Sequence, residues 1–477
     1  MNIVDEIALR ASAERPALVA DGATLTYGEL LERVSVVANW LSRCAGYRDA
    51  SPPRVGLTCP NGVDYIVLAL AILKSGGCLV PIADELTQPE REELITRTRL
   101  HGLVEVGNEP SQRDLCGNME RSTNATWLLL NREPFPDEDD FSELGPAFIR
   151  FSSGTTGRSK GVILSHRRLR ERIVGANAGL EITSADRVIW MLPMAHHFAV
   201  SIVLYLFHGA CTILTRSHLG AGILQVAEAN KATVIYGAPF HFALLAADFG
   251  DFKWPSLRLA VVTASALPEK TGRDFIERFG TPLVQGLGII EVGLPILNLG
   301  GAREFPTSIG RPLPAFDVEL RDDEGRSVQP GKIGEIWIRG PGLFDAYLSP
   351  WQPAHEVCVN GWFATGDLAV TDASGRIFLR GRKKSVLNIG GMKVFPEEIE
   401  KIIEGHPAVF RCRVRGIPHA ILESLPVAEI VLHEDATLTA RELITWTRLS
   451  LAGYKVPSRV KFVSQIPLTA SGKVKRV

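Results

Sequence analysis

The chain has 477 residues, of which 45% are apolar and 22% are charged, and its formal net charge is −1. This length exceeds what one hydrophobic core supports, so at least two domains are expected. The near-zero charge argues against a dedicated binder of nucleic acid or of anionic membranes. The seven cysteines are scattered without a CxxC pair, which predicts reduced thiols in a cytoplasmic protein and neither a disulfide framework nor a zinc site.

The first 300 residues alternate helical patterns with short β-rich runs. The N-terminal segment MNIVDEIALRASAERP lacks the apolar core of a signal peptide. The apolar segment YIVLALAIL (65–73) is about half as long as a membrane span and predicts a buried helix. The strand-like runs are RVGLTCP, CLVPI, RVIWMLP, CTILT, ATVIYG and LRLAVVTAS. Strands separated by helices favour parallel sheets, so this region is predicted to be a doubly wound α/β arrangement.

Small hydroxyl residues and glycines are concentrated in FSSGTTGRSKGVILSH (151–166). Backbone N–H groups of successive small residues can enclose an anion, and Lys160 adds a compact positive charge suited to phosphate. The stretch is not a Walker loop, because Ser159 stands where that motif has glycine. By itself the pattern also fits a polar surface loop. The basic run SHRRLRER that follows (165–172) is predicted to be the solvated face of a helix.

The pattern changes near residue 308. FDVELRDDEGRSVQPGKIGEIWIRG and LAVTDASGRIFLRGR are strand-like runs joined by turns, which predicts antiparallel pairing. After the charged segment GRKKS come a helix, strands and another helix, enough for a small α+β domain. A boundary is therefore predicted near residue 383, with one domain over 1–382 and another over 383–477.

Further motifs along the chain resemble those of the adenylate-forming superfamily, which includes acyl- and aryl-CoA ligases, adenylation domains of peptide synthetases and luciferases. Besides the 151–166 stretch, the matching motifs are LTYGEL (25–30), LPMAHHFA (192–199), QGLGIIE (285–291), GEIWIRGPG (334–342), WFATGDL (362–368), GRKKSVLNIGGMKVFPEEIE (381–400) and PLTASGKVKR (467–476). Members join a carboxylate to AMP, release pyrophosphate and usually pass the acyl group to a thiol. The resemblance implies a large N-terminal adenylation domain of doubly wound sheets plus a distorted antiparallel barrel. It also implies a small mobile α+β C-terminal lid domain.

The resemblance assigns nucleotide-binding and catalytic roles. The nucleotide would contact Ser152, Ser153, Gly154, Thr155, Thr156, Gly157, Lys160, Gly286, Leu287, Gly288, Asp367 and Arg382. Lys473, Glu291 and Thr156 would be catalytic, and Glu291 would also be the magnesium-linked carboxylate. The alternatives are an ordinary exposed acid at Glu291, a turn-capping Asp367 and a surface salt bridge at Arg382.

The acyl and thiol sites follow from the same resemblance. The acid would lie against His196, His197, Phe198 and Gly237, with His197 reading a ring substituent or else packing as a core histidine. Gly391 would leave room for pantetheine in the thiol channel, and Lys384 would be the hinge. The form PMAH favours an aromatic or cyclic acid over a linear one.

Three positions depart from the usual pattern: Leu287 replaces an aromatic residue, Ile290 a threonine and Ser159 a proline. With Glu291, Asp367 and Lys473 all present, an active enzyme is predicted. The predicted reaction is ATP- and Mg²⁺-dependent activation of a small carboxylic acid, followed by transfer to CoA. The alternatives are loading of the phosphopantetheine of a carrier protein in trans and, less favoured, a non-catalytic nucleotide-binding protein.

Overall fold

The computed structural model of the chain describes residues 1–50, 52–84, 86–106, 125–130, 138–151, 160–217, 219–263, 265–389, 392–419, 422–468 and residue 474. The helices, in chain order, are α1 (Ile3–Arg10), α2 (Tyr27–Leu41), α3 (Val63–Lys74), α4 (Gln88–Thr98), α5 (Glu138–Glu143), α6 (His166–Leu180), α7 (Met194–His197), α8 (Val203–Phe207), α9 (Gly220–Ala229), α10 (Pro239–Ala247), α11 (Glu269–Phe279), α12 (Ala354–Val357), α13 (Pro396–Glu404) and α14 (Ala440–Arg448). A π-helical turn (Phe198–Ile202) links α7 to α8, and short 3₁₀ turns lie at Tyr47–Asp49, Lys383–Ser385 and Gly453–Lys455. No helix among these residues is both long and apolar enough to span a bilayer.

The strands, in chain order, are β1 (Pro16–Ala20), β2 (Ala23–Thr26), β3 (Arg54–Thr58), β4 (Cys78–Pro81), β5 (Gly102–Val106), β6 (Ala125–Leu129), β7 (Pro146–Phe151), β8 (Gly161–Ser165), β9 (Arg187–Trp190), β10 (Cys211–Leu214), β11 (Val234–Gly237), β12 (Leu259–Val262), β13 (Leu283–Ile289), β14 (Gly293–Leu297), β15 (Arg311–Pro312), β16 (Asp317–Arg321), β17 (Gly334–Arg339), β18 (Ala346–Leu348), β19 (Trp351–Pro353), β20 (Phe363–Thr371), β21 (Ile377–Arg382), β22 (Leu387–Ile389), β23 (Met392–Val394), β24 (Val409–His419), β25 (Glu423–Leu432) and β26 (Arg459–Phe462). Every strand predicted from an apolar run in the first 300 residues is present.

The described chain divides into two compact units. The first comprises the described residues up to Asp317 together with Arg339–Phe363, and the second comprises Val318–Ile338 and the described residues from Ala364 onward. The predicted α/β class with a large N-terminal and a smaller C-terminal part is confirmed. The exact boundary at 382/383 stays a prediction.

A nine-stranded sheet in the first unit has the order β15-β14-β13-β12-β11-β9-β10-β1-β2. Its centre, from β13 to β1, is parallel as predicted, whereas β14, β15 and β2 add antiparallel edges. The central strands are short apolar runs covered on both faces, which is typical of parallel sheets. Strands β1 and β2 form a hairpin. On its other side β1 pairs with β10, which is distant in sequence, with Leu18 opposite Thr212.

The other large sheet of the first unit has eight strands in the order β19-β18-β8-β7-β4-β3-β5-β6. Strands β5, β3, β4 and β7 are parallel, and β8 and β18 continue the sheet in antiparallel fashion. Helix α3 carries the apolar run at 65–73, and each of these nine residues is at most 2% exposed. A helix that is apolar all round belongs in a core, so the predicted buried helix is confirmed.

The second unit contains two smaller sheets. One has the order β16-β17-β20-β21, with β20 and β21 antiparallel, and the other joins β23-β22-β25-β24 with β26 beside β25. Helices α13 and α14 pack their apolar faces against the latter sheet through Ile399, Ile403 and Leu443, all fully buried. Thr439 and Glu442 form a capping box at the start of α14, which satisfies backbone N–H groups that the helix itself cannot.

Candidate functional site

Four neighbouring parallel strands of the nine-stranded sheet end beside predicted site residues. Strand β9 leads to the histidines of α7, β11 ends at Gly237, and β13 carries Gly286–Gly288 and leads to Glu291. The carbonyl of Gly237 accepts a hydrogen bond of 3.0 Å from the backbone N–H of Thr263, which follows β12. Ligands of open α/β sheets bind at the carboxyl ends of the strands, so this edge is the candidate active site of the first unit.

The predicted phosphate loop is bounded by the antiparallel pair β7–β8. Phe151 is paired with Gly161 across the two strands, so the chain enters and leaves the loop at neighbouring positions. Lys160 is exposed at the start of β8. The predicted residues Ser152, Ser153, Gly154, Thr155, Thr156 and Gly157 lie outside the described residues, and their roles stay predictions.

Tyr347 connects Lys160 with Glu291. The Lys160 Nζ lies 4.3 Å from the centroid of the Tyr347 ring, and the Tyr347 hydroxyl donates a hydrogen bond of 3.1 Å to Glu291 Oε1. Burial and the Glu291 charge raise the pKa of Tyr347, so the phenol stays protonated and able to donate. Tyr347 pairs with Val162 across β18 and β8, which places the Tyr347 ring beside Lys160. Sequence reasoning did not select Tyr347, which lies 56 positions from Glu291.

Arg172 holds the turn that carries Glu291. This turn joins β13 to β14, and the Arg172 Nη1 donates 2.6 Å to the carbonyl of Ile290 while its Nε donates 2.6 Å to the carbonyl of Gly342. The Glu291 carbonyl in turn accepts from the Phe344 N–H at 2.8 Å. Arg172 is only 3% exposed, and burial lowers its pKa to about 9, against the opposing effect of Glu291 and Asp345.

This arrangement corrects the prediction for the basic run 165–172. Arg167 and Arg170 are exposed on α6, as predicted, but Arg172 is buried beneath the Glu291 turn. The run faces solvent on one side only, because a helix repeats every 3.6 residues and Leu169 and Arg172 share its inner side.

The predicted adenine residues lie on β13 next to this turn. Gly286 and Leu287 pair with Leu297 and Ile296 of β14. Leu287 is half-buried and Gly288 is exposed. A Cβ at Gly286 would lie 2.8 Å from the Leu297 side chain, which would have to shift to make room for it.

Aromatic rings surround His197 in the predicted acyl region. Its ring centroid lies 5.9 Å from that of Trp190 and 6.3 Å from that of Tyr236, and these two rings stack at 5.9 Å with an interplanar angle of 16°. Phe198 is fully buried, with its ring 5.7 Å from that of Tyr65. His197 is half-buried, so it is not sealed within the core.

His196 is a half-buried histidine whose Nε2 is shielded from solvent. This atom makes no hydrogen bond within the described part of the chain. Burial and the nearby Arg150 charge lower the pKa of His196 to about 4, so its imidazole is neutral at physiological pH.

The second unit brings together the two residues predicted to bind ribose. Asp367 of β20 and Arg382 of β21 are cross-strand partners, and the Arg382 Nε lies 2.6 Å from Asp367 Oδ1. Asp367 is 7% exposed, whereas Arg382 is exposed. Arg382 therefore forms an ion pair, which was the alternative predicted for it. Its partner is Asp367, the carboxylate that is itself predicted to bind ribose. Their role in binding ribose stays a prediction.

The remaining predicted residues are distributed as follows. Lys384 is exposed in the 3₁₀ turn Lys383–Ser385, while the neighbouring Lys383 Nζ lies 3.0 Å from both Asp323 and Glu335. Gly391 and Lys473 lie outside the described residues. The six cysteines of the described segments are free thiols, as predicted.

Glu291 is the predicted magnesium ligand. Within the described segments, no group of three or more His, Cys, Asp or Glu side chains could hold a metal ion. Mg²⁺ at nucleotide sites needs only one or two protein carboxylates, because phosphates and water complete its octahedron. A single carboxylate beside Lys160 therefore fits an ion that arrives with a nucleotide.

Comparisons with known proteins find matches over most of the chain. A family model for the AMP-binding enzyme matches residues 5–348, and one for the AMP-binding enzyme C-terminal domain matches residues 398–473. The chain is 30% identical to feruloyl-CoA synthase from an Amycolatopsis species, over 98% of this chain and 95% of that protein. It is 28% identical to long-chain-fatty-acid–CoA ligase from Yersinia pestis, over 97% of this chain and 91% of that protein. In fold it is similar to O-succinylbenzoate coenzyme A synthetase from Bacillus subtilis in complex with AMP, with a TM-score of 0.85, 23% identity and coverage of 100% and 97%.

Proposed function

Because the chain belongs to the AMP-binding enzyme family, we propose that it activates a carboxylic acid with ATP and transfers the acyl group to CoA. The predicted superfamily and the enzyme class, an AMP-forming acid–thiol ligase, are supported by the family match and by relatives named as CoA ligases. The observation that carries the proposal is the contact of Lys160 and Glu291 through Tyr347.

The reaction has two steps. In the first, a carboxylate oxygen of the acid bonds to the α-phosphorus of ATP, the bond to the bridging oxygen breaks, and pyrophosphate leaves. In the second, the CoA thiolate attacks the acyl carbon of the mixed anhydride and AMP leaves. Both steps bring anions together, so positioning and charge neutralisation dominate the catalysis.

Each side of the Tyr347 ring has a role in the first step. Lys160 supplies a positive charge for the phosphates, and the ring fixes the direction of its ammonium group. The Tyr347 hydroxyl orients Glu291. A magnesium ion held by Glu291 would neutralise part of the triphosphate charge. Lys473 contacts the carboxylate and the α-phosphate in this proposal, and Asp367 binds the ribose hydroxyls.

We propose that the acid is aromatic or cyclic. The stacked rings of Trp190 and Tyr236 offer flat apolar surfaces, and the imidazole of His197 beside them adds two polar nitrogens. A relative of 30% identity is named feruloyl-CoA synthase, whereas others of 28% identity are named long-chain-fatty-acid–CoA ligases. The aromatic environment of His197 favours the former class for this chain.

Trapping with hydroxylamine tests the function without knowing the final acceptor. The protein is incubated with ATP, Mg²⁺ and a panel of benzoates, cinnamates and fatty acids, and hydroxamate and pyrophosphate are measured. Glu291→Gln should reduce both products at least tenfold, and Glu304→Gln, an exposed acid of the same unit, should not. Formation of neither product with any acid would contradict the proposal.

Two further measurements test the finer parts. Adding CoA should convert the acyl-AMP to a thioester, whereas thioester formation only on a carrier protein would replace CoA as the acceptor.

A hydroxylated benzoate or cinnamate should be activated faster than its unsubstituted parent, and His197→Ala should remove this difference. Higher turnover of a linear fatty acid than of every aryl acid would contradict the choice of acid but not the ligase reaction.

A further inference from the structure

A second polar cluster lies beside the candidate acyl region and has no role in the steps above. It consists of Arg150 at the end of β7, Tyr65 in α3 and His196 in α7. The Arg150 Nε, the Tyr65 hydroxyl and the His196 Nε2 are each buried, and each makes no hydrogen bond within the described segments. Buried polar atoms are nearly always satisfied, so three such atoms in one place require an explanation.

Arg150 lies within electrostatic range of both His196 and Tyr65. The Arg150 charge contributes to lowering the pKa of His196, and Arg150 and Tyr65 each act on the other. Tyr236, whose ring forms part of the aromatic surface beside His197, and Glu291 also act on Arg150. Arg150 is therefore near both Glu291 and Tyr236, whose ring belongs to the candidate acyl region.

The cluster is matched to an anion. Arginine remains protonated when buried, and a buried guanidinium N–H without an acceptor loses hydration that a hydrogen bond must replace. Tyr65 adds a hydroxyl donor, and neutral His196 can donate through Nε2 in one tautomer. Three buried donors with one positive charge suit the two oxygens of a carboxylate better than a neutral hydroxyl.

We propose that Arg150, Tyr65 and His196 bind a second carboxylate of the acid substrate, distinct from the carboxylate that is activated. This inference rests on the proposed ligase reaction and narrows the substrate to a dicarboxylic acid. An aromatic diacid fits the proposed acyl site, whereas a preference for a short linear diacid would support the second-carboxylate site and overturn only the choice of an aromatic acid. Binding the second carboxylate satisfies the buried donors, and it orients the acid with its other carboxylate toward the nucleotide. An acid without this group leaves the cluster unsatisfied and is a poorer substrate.

Matched pairs of acids test the proposal with the full-length enzyme. Isophthalate is compared with benzoate, and glutarate with pentanoate, by the rate of ATP-dependent hydroxamate formation. The diacid of at least one pair should have a kcat/KM at least tenfold higher than its partner. Arg150→Met should reduce this ratio at least tenfold, and Arg150→Lys, which keeps the charge but not the planar fork, should reduce it less. Arg170→Met, an exposed arginine of α6, is the matched control and should leave the ratio unchanged.

Tyr65→Phe keeps the test decisive if Arg150→Met does not fold. This substitution removes only a hydroxyl that makes no hydrogen bond in the described structure, so the fold should be retained. The diacid-to-monoacid ratio should fall here as well, by about threefold or more. A ratio that stays unchanged in Tyr65→Phe and in the folded Arg150 variants would overturn the proposal.

The wild-type enzyme separates failure of this inference from failure of the proposed function. Activation of benzoate or pentanoate without any preference for the diacids would overturn the second-carboxylate site and leave the ligase reaction standing. Absence of hydroxamate with every acid would overturn both.

Discussion

Replacing Arg172 tests whether a buried arginine positions the Glu291 turn. Arg172 is 3% exposed and donates two hydrogen bonds of 2.6 Å to the carbonyls of Ile290 and Gly342. A hydrogen bond to a charged group contributes about 1.5–3 kcal/mol, so loss of one such bond in Arg172→Lys should cost about 2 kcal/mol. If this energy serves to hold Glu291 in position in the transition state, its loss should lower the rate of adenylation about 30-fold.

The assay is pyrophosphate release with saturating acid, together with thermal unfolding of each variant. Arg172→Lys should reduce kcat/KM for ATP about 30-fold, and Arg172→Met should reduce it further because neither carbonyl retains a donor. Arg170→Lys, two residues away on the exposed side of α6, should change kcat/KM by less than about twofold. The readout that separates positioning from general stability is the reaction from supplied acyl-AMP to thioester, which should fall less than adenylation.

Two results would refute this reasoning. One is an Arg172→Met enzyme that unfolds at a lower temperature but keeps its adenylation rate, which would make Arg172 a stabilising residue only. The other is an equal loss of adenylation and of thioester formation, which would indicate general damage to the first unit.

Three further predictions concern Tyr347, Lys473 and His101. Tyr347→Phe keeps the ring beside Lys160 but removes the 3.1 Å hydrogen bond to Glu291, so the rate of pyrophosphate release should fall about tenfold or more. Tyr347→Leu also removes the ring, so it should lower this rate further. Equal rates for the two variants would contradict the role of the ring. Lys473→Ala should lose acyl-AMP formation but still transfer acyl groups from supplied acyl-AMP to CoA, and equal loss of both steps would disprove its assignment. His101 is buried, accepts a hydrogen bond of 2.9 Å from the Arg54 N–H, and has its pKa lowered to about 4 by burial. Because the unfolded chain binds a proton to His101 near pH 6.5 and the folded chain does not, stability should be lost as the pH falls from about 6.5 to 4. The loss is at most about 3.5 kcal/mol, at about 1.4 kcal/mol per pH unit. His101→Gln should flatten this part of the curve measured by urea unfolding, and an unchanged slope would show that other groups produce it.

The strands and the buried helix were predictable because their signal is local. Short apolar runs such as that of β11 and the continuous apolar segment of α3 require burial on all sides, whatever their neighbours are. The motif positions were likewise readable, because each motif is a short stretch with its own chemistry. The antiparallel edges of both large sheets were missed, because the direction of an edge strand depends on its partner and not on its own residues.

The contacts that organise the site were not predictable from local patterns. Tyr347 lies beside Lys160 because β18 pairs with β8, and it lies near Glu291 where the Phe344 N–H bonds to the Glu291 carbonyl. The sequence around Tyr347 carries no sign of either contact. Arg172 ends a run of arginines whose pattern predicts a solvated helix face. It is buried because the segment around Gly342 packs against it and accepts its hydrogen bond. Arg150 adjoins the phosphate-loop motif, but its unsatisfied Nε becomes visible only when its neighbours are placed.

The pairing of β1 with β10 has a consequence for the order of synthesis. Leu18 faces Thr212, so 193 residues are made between one partner and the other. At about 5–20 residues per second, the apolar strand β1 leaves the ribosome about 10–40 s before its parallel neighbour exists. During that interval its only sheet partner is β2, to which it is joined by Asp21 and Gly22, both with positive φ. The nascent chain therefore carries a ready hairpin with one open edge, and the nine-stranded sheet can close on that side only after residue 214 has emerged.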